Sequence, residues 1–139
     1  MNHTYPPTTR EQLARITYPP TTGERRHLTL HGYPCALQMG PYSINGYIAL
    51  PPTHPWLQGD PTTDPTIDVH GGITYHEGTT LGFDTNHHTD GYHPHSDGYR
   101  HATQHNLPVP HALPWTWQET GTELARLAEQ ARETEKENQ

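Results

Sequence analysis

The sequence predicts a small α+β domain: a mainly antiparallel β-sheet with a C-terminal helix packed on it, long irregular loops and a flexible N-terminal arm. Three observations carry this reading. Short apolar–polar alternations of strand length recur between residues 27 and 84. A helical apolar stripe appears only near the C-terminus, at Leu124, Leu127, Ala128 and Ala131. Pro and Gly, 15 and 12 of the 139 residues, punctuate the rest. Leu, Ile, Val and Phe together number 19 of 139, so the core is expected to be small and not to order the whole chain.

Residues 1–26 form the expected arm. Thr4-Tyr5-Pro6-Pro7-Thr8-Thr9 recurs as Thr17-Tyr18-Pro19-Pro20-Thr21-Thr22, and Tyr-Pro-Pro favours extended polyproline geometry. The domain proper is expected over 27–132. His27–His31 alternates as a half-buried strand, Cys35–Met39 makes a second after the Gly32-Tyr33-Pro34 turn, and Ile44–Leu50 a third. Five prolines in 51–65 dictate a loop. Ile67–His70 and Ile73–His76 flank Gly71-Gly72, which reads as a β-hairpin because such a turn needs positive φ. Thr79–Asp84 is a further strand. Residues 85–114 lack an apolar period, apart from a short helix expected at Ser96–Ala102. The last helix is expected to be capped by Thr120 or Thr122, with residues 133–139 frayed.

Charge narrows the function classes. Segment 1–31 is net +2, whereas 32–118 is net −6, with Arg100 as its one basic residue and ten of the thirteen histidines. Duplex nucleic acid needs a cationic footprint that this middle segment lacks, whereas an acidic, His-rich surface suits a metal cation. The apolar runs are too short for a transmembrane helix. The opening residues lack the charged-then-apolar pattern of a signal peptide. Cys35, the single cysteine, precludes an internal disulfide framework and reads as a buried structural thiol. A cytoplasmic protein is expected, and a core this small is compatible with a homodimer.

Two constellations carry chemistry. Asp84, His87 and Asp90 follow a strand, and with His70 from the Gly-Gly turn they would make a zinc or manganese site. No standard zinc spacing is present, so solvated or structural histidines are the plain alternative. His93-x-His95 would point one way on an extended chain, and His101 and His105 would share a helix face. The second constellation is a ligand pocket of Tyr47, His54, Trp56, His70 and Tyr75, with Arg100 meeting a phosphate. Its alternative is a loop pinned by a buried Trp56. Trp115 and Trp117 read as staples for the last helix.

The ordered run Gly32-Tyr33-Pro34-Cys35, Gly40-Pro41, Gly46-Tyr47-Ile48, Pro51-Pro52-Thr53-His54-Pro55, Val69-His70-Gly71-Gly72-Ile73-Thr74-Tyr75 and Gly82-Phe83-Asp84 resembles small accessory proteins of actinobacteriophages and their prophages. His87 and Asp90 match that pattern, as does Leu124-Ala125-Arg126-Leu127-Ala128-Glu129. The resemblance covers 32–90 and 118–132; Asn45 and Thr85 stand where the pattern has cysteines. It implies a phage-type context within a host cytoplasm and no particular activity, and it draws weight toward His54, His70, Asp84, His87 and Asp90.

Three functions stay open at this stage. The first is a non-enzymatic binder that captures a host protein or a small ligand, such as a nucleotide-derived defence signal. The second is a hydrolase whose metal activates water, with His54 shuttling the proton. The third is a structural docking module.

Overall fold

The structure is a computed structural model and describes residues 23–86, 90–110 and 112–138; the arm repeats and His87 lie outside them. Five antiparallel strands form one sheet in the order β1-β2-β3-β5-β4: β1 Arg25–Leu30, β2 Tyr33–Met39, β3 Ile44–Ala49, β4 Tyr75–Glu77 and β5 Thr80–Phe83. Among the described residues two α-helices complete the fold, α1 Asp97–Gln104 and α2 Trp117–Glu137, with short 3-10 turns at Pro55–Gln58 and Pro61–Thr63. The α+β architecture read from the sequence is the one observed. Among the described residues no helix is long and apolar enough to cross a membrane.

Register explains the core. Leu28 faces Cys35, Cys35 faces Ile48, and Ile48 faces Leu81, so four strands lay one apolar row across the sheet. Leu124, Leu127, Ala128 and Ala131 of α2, all fully buried, join that row in a single cluster. The β1–β2 connection is the two-residue turn His31-Gly32 with φ of 50° and 86°, the double positive φ that suits a right-twisted hairpin. Gly46 lies opposite Phe83, and a Cβ there would meet the Phe83 ring at 2.5 Å, so glycine is what lets the ring cross β3.

Three local expectations need correction. The hairpin lies one turn later than expected, at Gly78-Thr79 between β4 and β5. Gly71 and Gly72 do adopt positive φ, and the Gly72 N–H donates to the Val69 carbonyl at 2.9 Å, but the flanking segments do not pair as strands. Ile67, Val69 and Ile73 are instead buried in the core, and side chains of α2 satisfy the backbone. Gln130 Oε1 accepts from the Asp68 N–H at 2.9 Å, Gln130 Nε2 donates to the Asp68 carbonyl at 2.6 Å, and Glu123 accepts from the His70 N–H at 2.7 Å.

The second correction is the start of α2. Thr116 caps it in a reciprocal box with Glu119, both bonds 3.0 Å, one turn before the expected Thr120. Thr120 is itself buried in the helix, its hydroxyl donating to the Thr116 carbonyl at 2.8 Å. The third is the end. The helix continues to Glu137, because the Tyr33 hydroxyl donates to Glu135 at 2.5 Å and ties that turn to the sheet.

Candidate functional site

The sequence-predicted residues separate into distinct places. His54 is fully buried: Nδ1 accepts from the Trp56 N–H at 3.1 Å, and Nε2 donates to the Ala131 carbonyl of α2 at 2.8 Å. Both ring nitrogens are spent inside the protein, so His54 neither lines a ligand wall nor shuttles a proton. It caps the 3-10 turn Pro55–Gln58 and bolts that turn to α2. Trp56 lies edge-on to it and is 5% exposed. Tyr47 and Tyr75 pack on one another, ring centroids 5.4 Å apart at 85°, and Tyr47 is 2% exposed. Burial pushes the Tyr47 phenol up; burial, reinforced by the bond from the Tyr75 hydroxyl to Glu77, pushes Tyr75 up to about 12.

The metal set does not assemble as four among the described residues. His70 and Asp90 do meet, with His70 Nε2 at 2.9 and 3.1 Å from the two carboxylate oxygens. Asp84 faces a different hollow, beside Tyr42, Asn45 and Asn86, and its carboxylate accepts from the Asn86 N–H at 3.0 Å. His87 lies outside the described residues. No group of three or more His, Cys, Asp or Glu among the described residues converges on a point an ion could occupy.

What surrounds the His70–Asp90 pair is a tie between segments. Asp90 is almost wholly buried, and Trp115 Nε1 donates to it at 3.1 Å, while the Trp115 and His70 rings lie 4.4 Å apart. The bond from Trp115 ties the residue before the Thr116 cap to Asp90 and, through it, to His70. On the other side of His70, Glu123 accepts the backbone N–H and pairs with Arg126, which also reaches Asp68 at 2.9 Å. Burial pushes the Glu123 pKa up, but the bonds from Arg126 and the His70 N–H outweigh it and hold the carboxyl below its ordinary value.

Arg100 belongs to a different setting. A cleft of about 420 Å³ opens between the start of β1, the end of β2, the 93–100 segment and the first residue of α2. It brings together Arg26, Arg100, His93, His95 and Trp117, with Glu24 and Asp97 at the guanidiniums. Local structure fixes each of them. The Arg26 guanidinium lies 3.9 Å over the Trp117 ring and pairs with Glu24 at 2.7 Å. Arg100 pairs with Asp97 one helical turn back on α1. Ser96 caps α1, its hydroxyl accepting from the Tyr99 N–H at 3.1 Å. The His93 and Gly98 N–H groups donate to the Tyr42 and Pro41 carbonyls, each at 2.7 Å, and pin the helix to the β2–β3 turn. At Gly98 a Cβ would meet the Tyr42 ring at 2.2 Å, so only glycine permits this docking.

The histidines of the cleft are ordered too. His93 Nδ1 accepts from the His95 N–H at 3.0 Å, which leaves the Nε2 proton on the ring when it is neutral. Burial, then the neighbouring His95, lowers the His93 pKa below its ordinary value. Arg26 and Trp117 are also the wall shared with a larger trough of about 740 Å³ floored by Leu28 and Leu37. The sequence reading placed Arg26 in the arm and Trp117 as a staple, and so missed both. The one signal for them was the change of charge sign between 1–31 and 32–118, which makes the basic segment a source of cations for a site built around Arg100.

Comparison with protein-family models, curated proteins and solved structures yields no match.

Proposed function

We propose that this protein is a non-enzymatic binder of a small anionic ligand carrying a planar ring, a nucleotide-like molecule, held in the cleft of Arg26, Arg100, His93 and Trp117. In the phage-type context that the resemblance implies, its role would be capture of a nucleotide-derived host signal. One observation carries the reading: the lone cation of segment 32–118 and a β1 arginine stacked on an indole line one cleft of about 420 Å³, within the size range of small-ligand sites. Guanidiniums suit phosphate because their forked donors match its oxygens. The stacked pair of Arg26 and Trp117 offers a flat cationic surface to a base. Glu24 and Asp97 hold the two guanidiniums in place in the free protein, and an incoming phosphate competes for the same donors. The metal-hydrolase alternative has less support, since among the described residues of its set His70 and Asp90 meet and Asp84 faces elsewhere.

Titration calorimetry with adenosine 5′-monophosphate, adenosine and inorganic phosphate tests this reading, with tryptophan fluorescence, compared between the parent and Trp117→Phe, as a second readout. The monophosphate is expected to bind at least about tenfold tighter than the nucleoside, the worth of one charge-assisted hydrogen bond. Arg26→Ala and Arg100→Ala should each remove most of that difference. Equal affinity for nucleotide and nucleoside, or unchanged nucleotide affinity in the double variant, would sink the proposal.

A further inference from the structure

Helix α1 carries a second feature, one residue beyond Arg100. His101 and His105 lie one helical turn apart, both exposed, with ring centroids 4.5 Å apart at an interplanar angle of 49°. Their backbones are joined, the His105 N–H donating to the His101 carbonyl at 3.2 Å, but among the described residues neither imidazole makes a hydrogen bond or ion pair. Other histidines are committed: His54 through both nitrogens, His70 to Asp90, His76 to the Gly78 carbonyl, His93 to the His95 N–H. The α1 pair is where two uncommitted imidazoles already face one another.

We propose that His101 and His105 form a two-imidazole site for a divalent late transition metal, independent of the anion cleft. Neutral imidazole is a borderline ligand that suits copper, nickel and zinc, with affinity following the order that peaks at Cu²⁺. Side chains four apart on a helix stand on one face, close enough for small rotamer changes to bring one nitrogen from each ring onto a single ion. Two protein ligands leave the remaining positions to water, so this is an open, exchangeable site and not a closed structural one. The helix benefits as well. Its eight residues are too few to persist alone, and an ion bridging its last turn and its capping residue closes that turn.

The test is a Zn²⁺ titration of the full chain followed by the imidazole Cε1–H resonances, repeated with Cu²⁺ read by thermal melting. The His101 and His105 signals are expected to move together, saturating at one ion, at concentrations where His76, an exposed single imidazole, does not respond. His101→Ala should raise the midpoint of the His105 response by roughly tenfold or more, because the second ligand no longer adds its effective concentration. Cu²⁺ should raise the melting temperature of the parent and not of the His101→Ala/His105→Ala variant. His76→Ala, outside the pair, should leave the response intact. The proposal is overturned if His105 responds identically in His101→Ala. It is equally overturned if the pair responds only alongside His76, which would mean each ring binds alone. Neither outcome bears on the nucleotide titration, so the two readings fail separately.

Discussion

Removing His54 should unfold the protein more readily without touching ligand capture. Its ring is fully buried and makes two hydrogen bonds, one to the Trp56 N–H at 3.1 Å and one to the Ala131 carbonyl at 2.8 Å. In His54→Ala each lost bond costs about 1 kcal/mol, and the stranded Trp56 N–H together with the cavity left by the ring adds about 1–3 kcal/mol. The expected loss is about 3–5 kcal/mol, a large part of the stability of a domain this size. Urea unfolding followed by circular dichroism measures it. His54→Asn divides the effect, since asparagine still caps the 3-10 turn by accepting from Trp56 but is too short to reach Ala131. It should recover about 1 kcal/mol. Nucleotide affinity, measured on the folded fraction, should be unchanged in both. A His54→Ala protein within 1 kcal/mol of the parent, or one of parental stability that has lost its ligand, would refute the assignment of this histidine to the core.

Three further outcomes follow. Gly46→Ala drives a Cβ to 2.5 Å from the Phe83 ring, which is fully buried, so it should cost about 1–3 kcal/mol in urea unfolding; a neutral result would mean the ring can shift freely. Cys35 is buried, and burial pushes its thiol far above the ordinary range, so a thiol reagent should label it only in denaturant; stoichiometric labelling of the native protein would contradict this. Burial, aided by Arg25 and His95 respectively, lowers the pKa values of His27 and His93 below the ordinary value of about 6.5. As pH falls through 6.5 the unfolded chain takes up protons before the folded one, so their contribution is complete above that pH and declines below it. The melting temperature should drop between pH 7.5 and 5.5, and less so in His93→Asn; a rise on acidification in both proteins would refute the sign.

Much of the fold was legible because it rests on local pattern. The alternation in His27–His31 and the apolar stripe from Leu124 to Ala131 are properties of neighbouring residues, and the strand and helix appear there. The Gly-Gly hairpin failed for a non-local reason. Positive φ at Gly71 and Gly72 follows from the sequence, but whether the flanks pair as strands depends on what else can bond their backbone. Here Gln130 and Glu123, more than fifty residues away, do so. The α2 cap was local and readable, since Thr116-Trp117-Gln118-Glu119 is a capping box; the apolar stripe drew attention one turn too far along.

The site was less legible, and the reason lies in the composition. A chain with only 19 Leu, Ile, Val and Phe among 139 residues cannot hold its loops by apolar burial alone. It recruits polar side chains to tie distant segments: His54 to α2, Asp90 to His70 and Trp115, Gln130 to the Asp68 backbone. Histidine suits such work because each ring bonds in two directions, so in this chain a histidine beside prolines or glycines marks a tie at least as readily as a ligand. The residues free to meet a partner are then those the core did not need. The anion cleft assembles them from positions as far apart as Arg26, Arg100 and Trp117, a grouping that no window along the chain contains and that only the docking of α1 on the β2–β3 turn creates.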